Sequence, residues 1–311
     1  VNGAAEGIRA VLIAGPTASG KSALAIAIAR RFGGAVVNAD SMQVYADLRT
    51  LTARPTVEEE AVVPHRLYGH VDGAVNHSAM RYAADVATVL AELAQSGSLP
   101  VIVGGTGLYF KALTEGFSAI PPVPEAVRTA FRERVADEET GSLHAELCGL
   151  DPVMGERLRP SDRMRIMRAL EVKIATGRSL ASFQGERRPG PLDGLPLLKL
   201  FVSPEREEVR RRIDARFEAM MALGALAEVA ALRDRRLDPL LPVMRAHGVP
   251  GLIAHLDGAM GLDEAIARGQ ADTRAYAKRQ MTWFRHQMPD WQAVAPEAAL
   301  EGALRALAPA G

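Results

Sequence analysis

Between Ile13 and Phe32 the chain reads IAGPTASGKSALAIAIARRF, and no other stretch constrains the fold as tightly. Within it, Gly15, Pro16, Thr17, Ala18, Ser19, Gly20, Lys21 and Ser22 satisfy the phosphate-loop pattern G-x-x-x-x-G-K-[ST]. Gly15 and Gly20 permit a turn that aims successive backbone N–H groups at phosphate oxygens. Lys21 adds a point charge, Ser22 offers a hydroxyl to Mg²⁺, and a helix starting there presents its positive end. Such a loop works only between a strand and a helix. The apolar run Ala10–Gly15 before it and the helix-forming run Lys21–Phe32 after it supply both.

Further strand signals follow in GGAVVNAD (Gly33–Asp40) and LPVIVGGTG (Leu99–Gly107), with an amphipathic helical pattern over Arg81–Gly97 between them. The strands are apolar throughout rather than alternating, which predicts a parallel sheet covered on both faces, an α/β fold. The texture then changes. SAIPPVPEAV (Ser118–Val127) is proline-rich, the next stretch is helical without a convincing strand, and RRPGPLDGLP (Arg187–Pro196) is a second turn-rich cluster. Strand signal returns in LLKLFVSP (Leu197–Pro204), and the remainder reads as mainly helical. The expected organisation is an α/β core over 1–118 and 197–311, with an all-helical domain inserted over 119–196.

The loop alone leaves its ligand open. Its Walker B candidate is AVVNAD, ending at Asp40, and the polar SMQVY that follows suits a substrate better than a hydrolytic switch. No guanine-reading N-K-x-D string is present, so GTP is disfavoured and ATP stays open. In VGGTGLYFKAL (Val103–Leu113) the glycines allow close backbone approach with Thr106 aiming a hydroxyl at whatever the loop binds, or else form a plain glycine turn.

Charge is balanced overall, 37 basic against 37 acidic residues, but it is segregated locally. From Arg157 to Arg178 seven basic residues face two acids. A second stretch, Thr273–Gln287, interleaves Arg274, Lys278, Arg279 and Arg285 with Tyr276, Trp283 and Phe284. That mixture suits an RNA backbone with unstacked bases, or else a solvated helix face. REEVRRRIDARFE (Arg206–Glu218) pairs its arginines with acids at helical spacing and reads as salt-bridged surface. A single cysteine, Cys148, excludes an internal disulfide and any multi-cysteine zinc site. His65, His70 and His77 lie close in sequence but form no recognisable zinc pattern. The apolar run near the N-terminus contains Lys21 and is followed by Arg30 and Arg31, so neither a signal peptide nor a membrane span is read there, and the expected address is the cytoplasm.

Taken together, GPTASGKS, NADSMQVY, TARP, PHRLYGHVD, VGGTGLYFKAL, SDRMRIMRALEV, RFEAMMALGALAEV and AKRQMTWFR resemble the bacterial tRNA dimethylallyltransferases, from about Val11 to Trp291. The resemblance implies a P-loop, nucleotide-kinase-like fold whose loop holds dimethylallyl diphosphate with Mg²⁺ rather than a nucleotide. It implies prenyl transfer to N6 of the adenosine on the 3′ side of a tRNA anticodon, with that base flipped into the protein. It also implies catalytic roles for Lys21, Asp40, Thr106 and Arg128, the latter two on the diphosphate side. Contacts to the tRNA anticodon stem-loop map onto Asp40, Ser41, Met42 and Gln43 and, in the inserted domain, Met164, Arg165, Ile166, Met167 and Arg168. They continue at Arg245, Ala246, His247 and Gly248, and at Lys278, Arg279, Gln280, Met281, Thr282, Trp283, Phe284 and Arg285. Val249 and Pro250 depart from the family pattern, in which Tyr and a basic residue are frequent there. The zinc finger of eukaryotic relatives is absent. The expected state is a monomer.

Overall fold

In the computed structural model, residues 7–308 are described except 184 and 186. The chain divides into two compact units, one comprising residues up to Thr114 and from Pro191 onward, the other Glu115–Gly190.

The first unit opens with β1 (Ala10–Ala14), fully buried, then the phosphate loop and α1 (Lys21–Phe32). Leu24, Ala25, Ile28 and Ala29 of α1 pack onto the sheet, and Gly33 in the left-handed region closes the helix by returning its N–H to Ala29. β2 (Ala35–Asn38), α2 (Val57–Val62), β3 (His65–Arg66), α3 (Ala79–Ser96), β4 (Pro100–Gly104) and α4 (Gly107–Thr114) follow. Helix α2 begins with a complete capping box between Thr56 and Glu59.

The second unit holds β5 (Phe117–Ser118), α5 (Glu125–Arg134), α6 (Thr140–Leu150), α7 (Pro152–Arg157), α8 (Arg163–Thr176) and β6 (Arg187–Arg188). β5 and β6 pair antiparallel, so the insertion is not all-helical as the sequence predicts; these two-residue strands are too short to leave a period. Its bounds at Glu115 and Gly190 place this small ladder at its two ends, where the sequence reading put the boundaries at 119 and 196.

The chain re-enters the first unit with β7 (Leu197–Val202), then α9 (Arg206–Ala222), α10 (Ala225–Asp234), α11 (Val249–Leu256), α12 (Leu262–Gln287), β8 (Gln292–Val294) and α13 (Pro296–Leu307). The six strands of the main sheet are all parallel, in the order β3-β2-β4-β1-β7-β8. The four central strands are the four apolar runs of the sequence. The two missed strands, β3 and β8, are the edges, short and partly exposed, and so lack the unbroken apolar signature. In a sheet of this kind, the crevice beyond the carboxyl ends of the strands is where loops meet and ligands bind. Here β1, β2 and β4 send the phosphate loop, Asp40 and Thr106 to that same edge.

Candidate active site

Each of these three loops is held by specific hydrogen bonds. In the phosphate loop Gly20 takes φ +86° as the N-cap of α1, a conformation open to glycine, while Ala18 adopts φ +61° at some cost in strain. The Lys21 ammonium donates to the Pro16 carbonyl at 3.0 Å. Burial pulls its pKa down to about 8, with Asp40 pushing upward and Arg216 downward. Ser19 is fully buried, and its Oγ lacks a hydrogen-bond partner among the described residues.

The Asp40 loop is built by Asn38, a fully buried amide at the end of β2. Its Nδ2 donates to the carbonyls of Asp40 and Leu67 at 3.0 Å each, and its Oδ1 accepts from Asp40 N at 2.8 Å. Asp40 Oδ1 in turn accepts from Met42 N at 2.9 Å. Thr106 closes the arrangement from β4. Its hydroxyl accepts from Ser41 N at 2.9 Å and donates to Ser41 Oγ at 3.2 Å, and its own N–H donates to Ala39 O. This differs from the sequence expectation of a hydroxyl aimed at the loop's ligand: Thr106 is occupied in holding the segment that carries Asp40.

A residue of α12 joins the remaining pieces. Gln280 is buried, donates Nε2 to Gly105 O at 2.8 Å, and accepts from Thr17 N at 3.2 Å. A Cβ at Gly105 would lie 2.1 Å from that amide nitrogen, so a larger residue there would push the Gln280 amide out of its place between the loops. One side chain therefore fixes the phosphate loop to the glycine-rich loop.

Above the three loops lies a mainly apolar cavity of about 90 Å³. Thr17 and Asp40 supply its polar wall, while Leu51, Ile213, Phe217 and Met220 supply much of the apolar one. His247 and Tyr276 also line it, their rings 4.7 Å apart. Burial lowers the His247 pKa, Arg279 adding to the effect, which favours the neutral imidazole. Burial raises that of the Tyr276 phenol, which stays protonated. A neighbouring cavity of about 480 Å³ is lined by Ser22, Gln43, Arg54, His65 and Tyr68. Arg216 lines both cavities and lies close enough to Lys21 to depress its pKa. It does not stand out in the sequence, because it follows arginines that pair with acids at helical spacing: Arg210 with Glu207, and Arg211 and Arg212 with Glu208. Position along α9 was the available signal, since Arg216 falls beside Phe217 and three residues after Ile213, both buried.

Of the residues expected on an RNA surface, Lys278, Arg279, Thr282 and Arg285 are exposed on α12, and Arg245 is exposed before α11. Four expectations are corrected by burial. The side chains of Gln280 and Phe284 are enclosed in the first unit, and those of Ile166 and Met167 in the second, so none of them can face an RNA. Helical wheels mix faces, and a contiguous motif necessarily includes inward positions. Ala246 and Gly248 are also buried, Gly248 with Phe217 close against it. Gln43 spends its amide on the carbonyls of Thr52 and Ala53, at 2.9 Å each. Arg274 is paired with Asp214.

In the second unit Met164 and Arg165 are exposed at the start of α8. Arg128 does not stand free. It pairs with Glu125 at 2.9 Å and lies 3.9 Å from the buried Glu171, which Arg132 and Arg168 also approach at 3.3 and 3.7 Å. Part of the basic surplus of this stretch thus neutralises an internal carboxylate rather than facing outward.

A parallel sheet with a phosphate-loop sequence at its switch edge, Asp40 on a neighbouring loop and a mainly apolar cavity beside them define a phosphate-loop-like α/β protein with its candidate site at the carboxyl edge of the sheet. The IPP transferase family profile matches residues 43–287, and the chain belongs to that family. It is similar to the tRNA dimethylallyltransferase of Methylobacterium sp. strain 4-46, with 67% identity covering 95% of this chain and 97% of that protein. The tRNA dimethylallyltransferase of Rhodopseudomonas palustris strain HaA2 is 60% identical, covering 93% of each. Among solved structures, the tRNA isopentenylpyrophosphate transferase of Bacillus halodurans superposes with a TM-score of 0.67 at 30% identity, over 94% of this chain and 93% of that one. A eukaryotic dimethylallyltransferase described as acting on tRNA gives 0.79 at 26% identity, over 96% of this chain and 77% of that one.

Proposed function

We infer that this chain is a tRNA dimethylallyltransferase. It moves the dimethylallyl group of dimethylallyl diphosphate to N6 of the adenosine on the 3′ side of the anticodon, in tRNAs that read codons beginning with U. The products are N6-dimethylallyladenosine and diphosphate. One observation carries the reading: Asp40, Thr17 of the phosphate loop and Arg216 line one largely apolar cavity. A phosphotransfer site needs a polar pocket for the acceptor hydroxyl. An isoprenyl chain and the face of an adenine need apolar walls, one carboxylate and a diphosphate cradle. The names of the close relatives point the same way.

In the reaction the C1–O bond of the donor breaks and a bond from N6 to C1 forms. Allylic cation character develops on the prenyl group, and negative charge on the departing diphosphate. Lys21, the loop N–H groups and Arg216 stabilise that charge without having to reorganise. The unpartnered Ser19 hydroxyl inside the loop gives a diphosphate one further polar contact. The N6 lone pair is delocalised into the ring, so orientation matters as much as basicity. The Asp40 carboxylate accepts a hydrogen bond from N6, aims the amine, and takes its proton as the new bond forms. N6 is out of reach inside a stacked loop, so the base must turn out into the cavity.

The hydroxyl oxygen of Ser22, exposed in the first turn of α1, suits a hard cation that keeps most of its waters. Bound there, Mg²⁺ would neutralise charge on the diphosphate. In this reading the enzyme is a cytoplasmic monomer, and among the described residues no helix is long and apolar enough to cross a membrane.

The test supplies the protein with labelled dimethylallyl diphosphate, ATP and bulk tRNA together. Prenyl label on tRNA is the expected outcome. Phosphoryl transfer from ATP would instead assign a small-molecule kinase, and tRNA binding without chemistry a binding protein.

A further inference from the structure

We propose that His70, His77 and Asp85 form a binding site for a divalent transition-metal ion of the Zn²⁺ type, which ties the segment after β3 to helix α3. None of the three lines either cavity of the active site, and the prenyl-transfer chemistry does not use them. The two histidines, seven positions apart, sit in the loop between β3 and α3, and Asp85 lies on the first turns of α3.

The geometry is that of a site rather than of a surface coincidence. The ligand atoms of all three side chains lie within 4.8 Å of one another. His70 Nε2 and His77 Nε2 both point at the same oxygen, Asp85 Oδ2, at 3.4 and 2.9 Å. Ligands about 2.0–2.1 Å from a tetrahedral ion stand about 3.3 Å apart, so His70 already has that separation and His77 needs a shift of a few tenths of an ångström. The set is two imidazoles and a carboxylate, a borderline N/O combination that suits Zn²⁺ or its neighbours and not Mg²⁺.

The support behind the ligands is also present. The His77 ring is almost fully enclosed, with 4% of the side chain exposed, and its other nitrogen, Nδ1, lies 3.2 Å from the Tyr109 hydroxyl. With Nδ1–H donating to that oxygen, the lone pair of Nε2 is directed at the ion, the arrangement that orients histidine ligands in metal sites. The His77 N–H also donates to the Tyr45 hydroxyl at 3.3 Å. His70 is exposed, which gives the ion a path in and leaves room for water as a fourth ligand. In sequence the histidines carry no zinc pattern because the third ligand comes from a helix, a residue type and spacing no motif describes.

The site bears on the rest of the unit through the backbone. Gly69 N donates to Gln43 O, Val71 N to Val44 O, and Ala46 N back to Val71 O, so the histidine-bearing segment runs beside the continuation of the Asp40 loop. An ion would fasten that support to α3.

The experiment is a Zn²⁺ titration of the chelator-stripped full chain, read by competition with a chromogenic chelator and by thermal midpoint, with Co²⁺ absorption as the coordination probe. One ion per chain is expected, with a midpoint that rises on binding. His70→Ala and Asp85→Asn should each weaken binding at least tenfold, and Tyr109→Phe should weaken it less. The control is Cys148→Ser, which removes the other plausible soft ligand, a thiol 3.7 Å from His144 Nδ1, and should change nothing. His77→Ala risks the fold because its ring is buried, so exposed His70 carries the decision. Absence of stoichiometric binding, or binding that survives the His70→Ala/Asp85→Asn double variant, overturns the site.

Discussion

Lys21 holds a charge in a place that resists it. Because its pKa is about 8 in the free protein, a growing fraction is neutral above that pH, whereas an ordinary lysine stays charged to beyond 10. A diphosphate favours the protonated form, so binding above pH 8 must take up a proton. Affinity for dimethylallyl diphosphate should therefore hold between about pH 7 and 8 and fall by up to about tenfold per pH unit above that. Turnover at saturating donor should hold to higher pH, because the bound anion raises the lysine pKa. Single-turnover assays and donor KM across pH 6–10 check both, and Lys21→Ala should remove the limb together with most of the activity, about 3 kcal/mol of transition-state stabilisation or more. For Asp40, Asn keeps an acceptor and the Met42 contact but takes no proton, whereas Ala loses both. Both variants should bind tRNA and donor and lose most transfer, with Ala the slower. Restoration of the Asn variant by high Mg²⁺ would make Asp40 a metal residue instead.

At the scale of elements, α12 is the part that makes one site out of separate loops. Gln280 reaches from it to Thr17 and Gly105 at once, and the aromatic residues nearby anchor the helix: Phe284 packs against Phe110, Phe201 and Trp291. Gln280→Ala leaves the buried Gly105 carbonyl and the part-buried Thr17 N–H without this partner, at about 1–3 kcal/mol of stability. The expected result is a lower thermal midpoint and a fall in the single-turnover rate with little change in tRNA affinity. A variant that loses tRNA binding but keeps both other properties would return Gln280 to the RNA surface. Thr106→Val tests the analogous link between β4 and the Asp40 loop. It should slow transfer while leaving the donor affinity within a few fold, because its hydroxyl bonds Ser41.

For the whole molecule, balanced net charge means that any attraction to tRNA must come from local patches. We propose that exposed Lys278, Arg279 and Arg285 on α12, Arg245 before α11 and Arg165 in the second unit supply it. The tRNA association constant should fall with salt by a log–log slope of about 0.7–0.9 per phosphate neutralised. Charge reversal at Arg279 should weaken tRNA binding and lower that slope while leaving dimethylallyl diphosphate affinity unchanged. The same change at Arg212, which is paired with Glu208 on α9, should do neither. Salt-independent binding would remove these residues from the interface.

The sequence by itself determined what is local or periodic. The phosphate loop is a contiguous pattern of turn-forming and charged residues, and the central strands announce themselves because strands buried on both faces are apolar throughout. Asp40 and Thr106 were readable because each follows such a strand. Only the tertiary structure decided which side chains of a motif face inward. Gln280 became a link between loops rather than an RNA contact, and Arg216 became a cavity residue rather than part of a salt-bridged surface. Edge strands β3 and β8 were invisible because hydrogen bonding on one side places no demand on side-chain pattern. The convergence of His70 and His77 with Asp85 was hidden for the same physical reason: a site assembled from a loop and a helix is fixed by packing, and packing leaves no spacing in the chain.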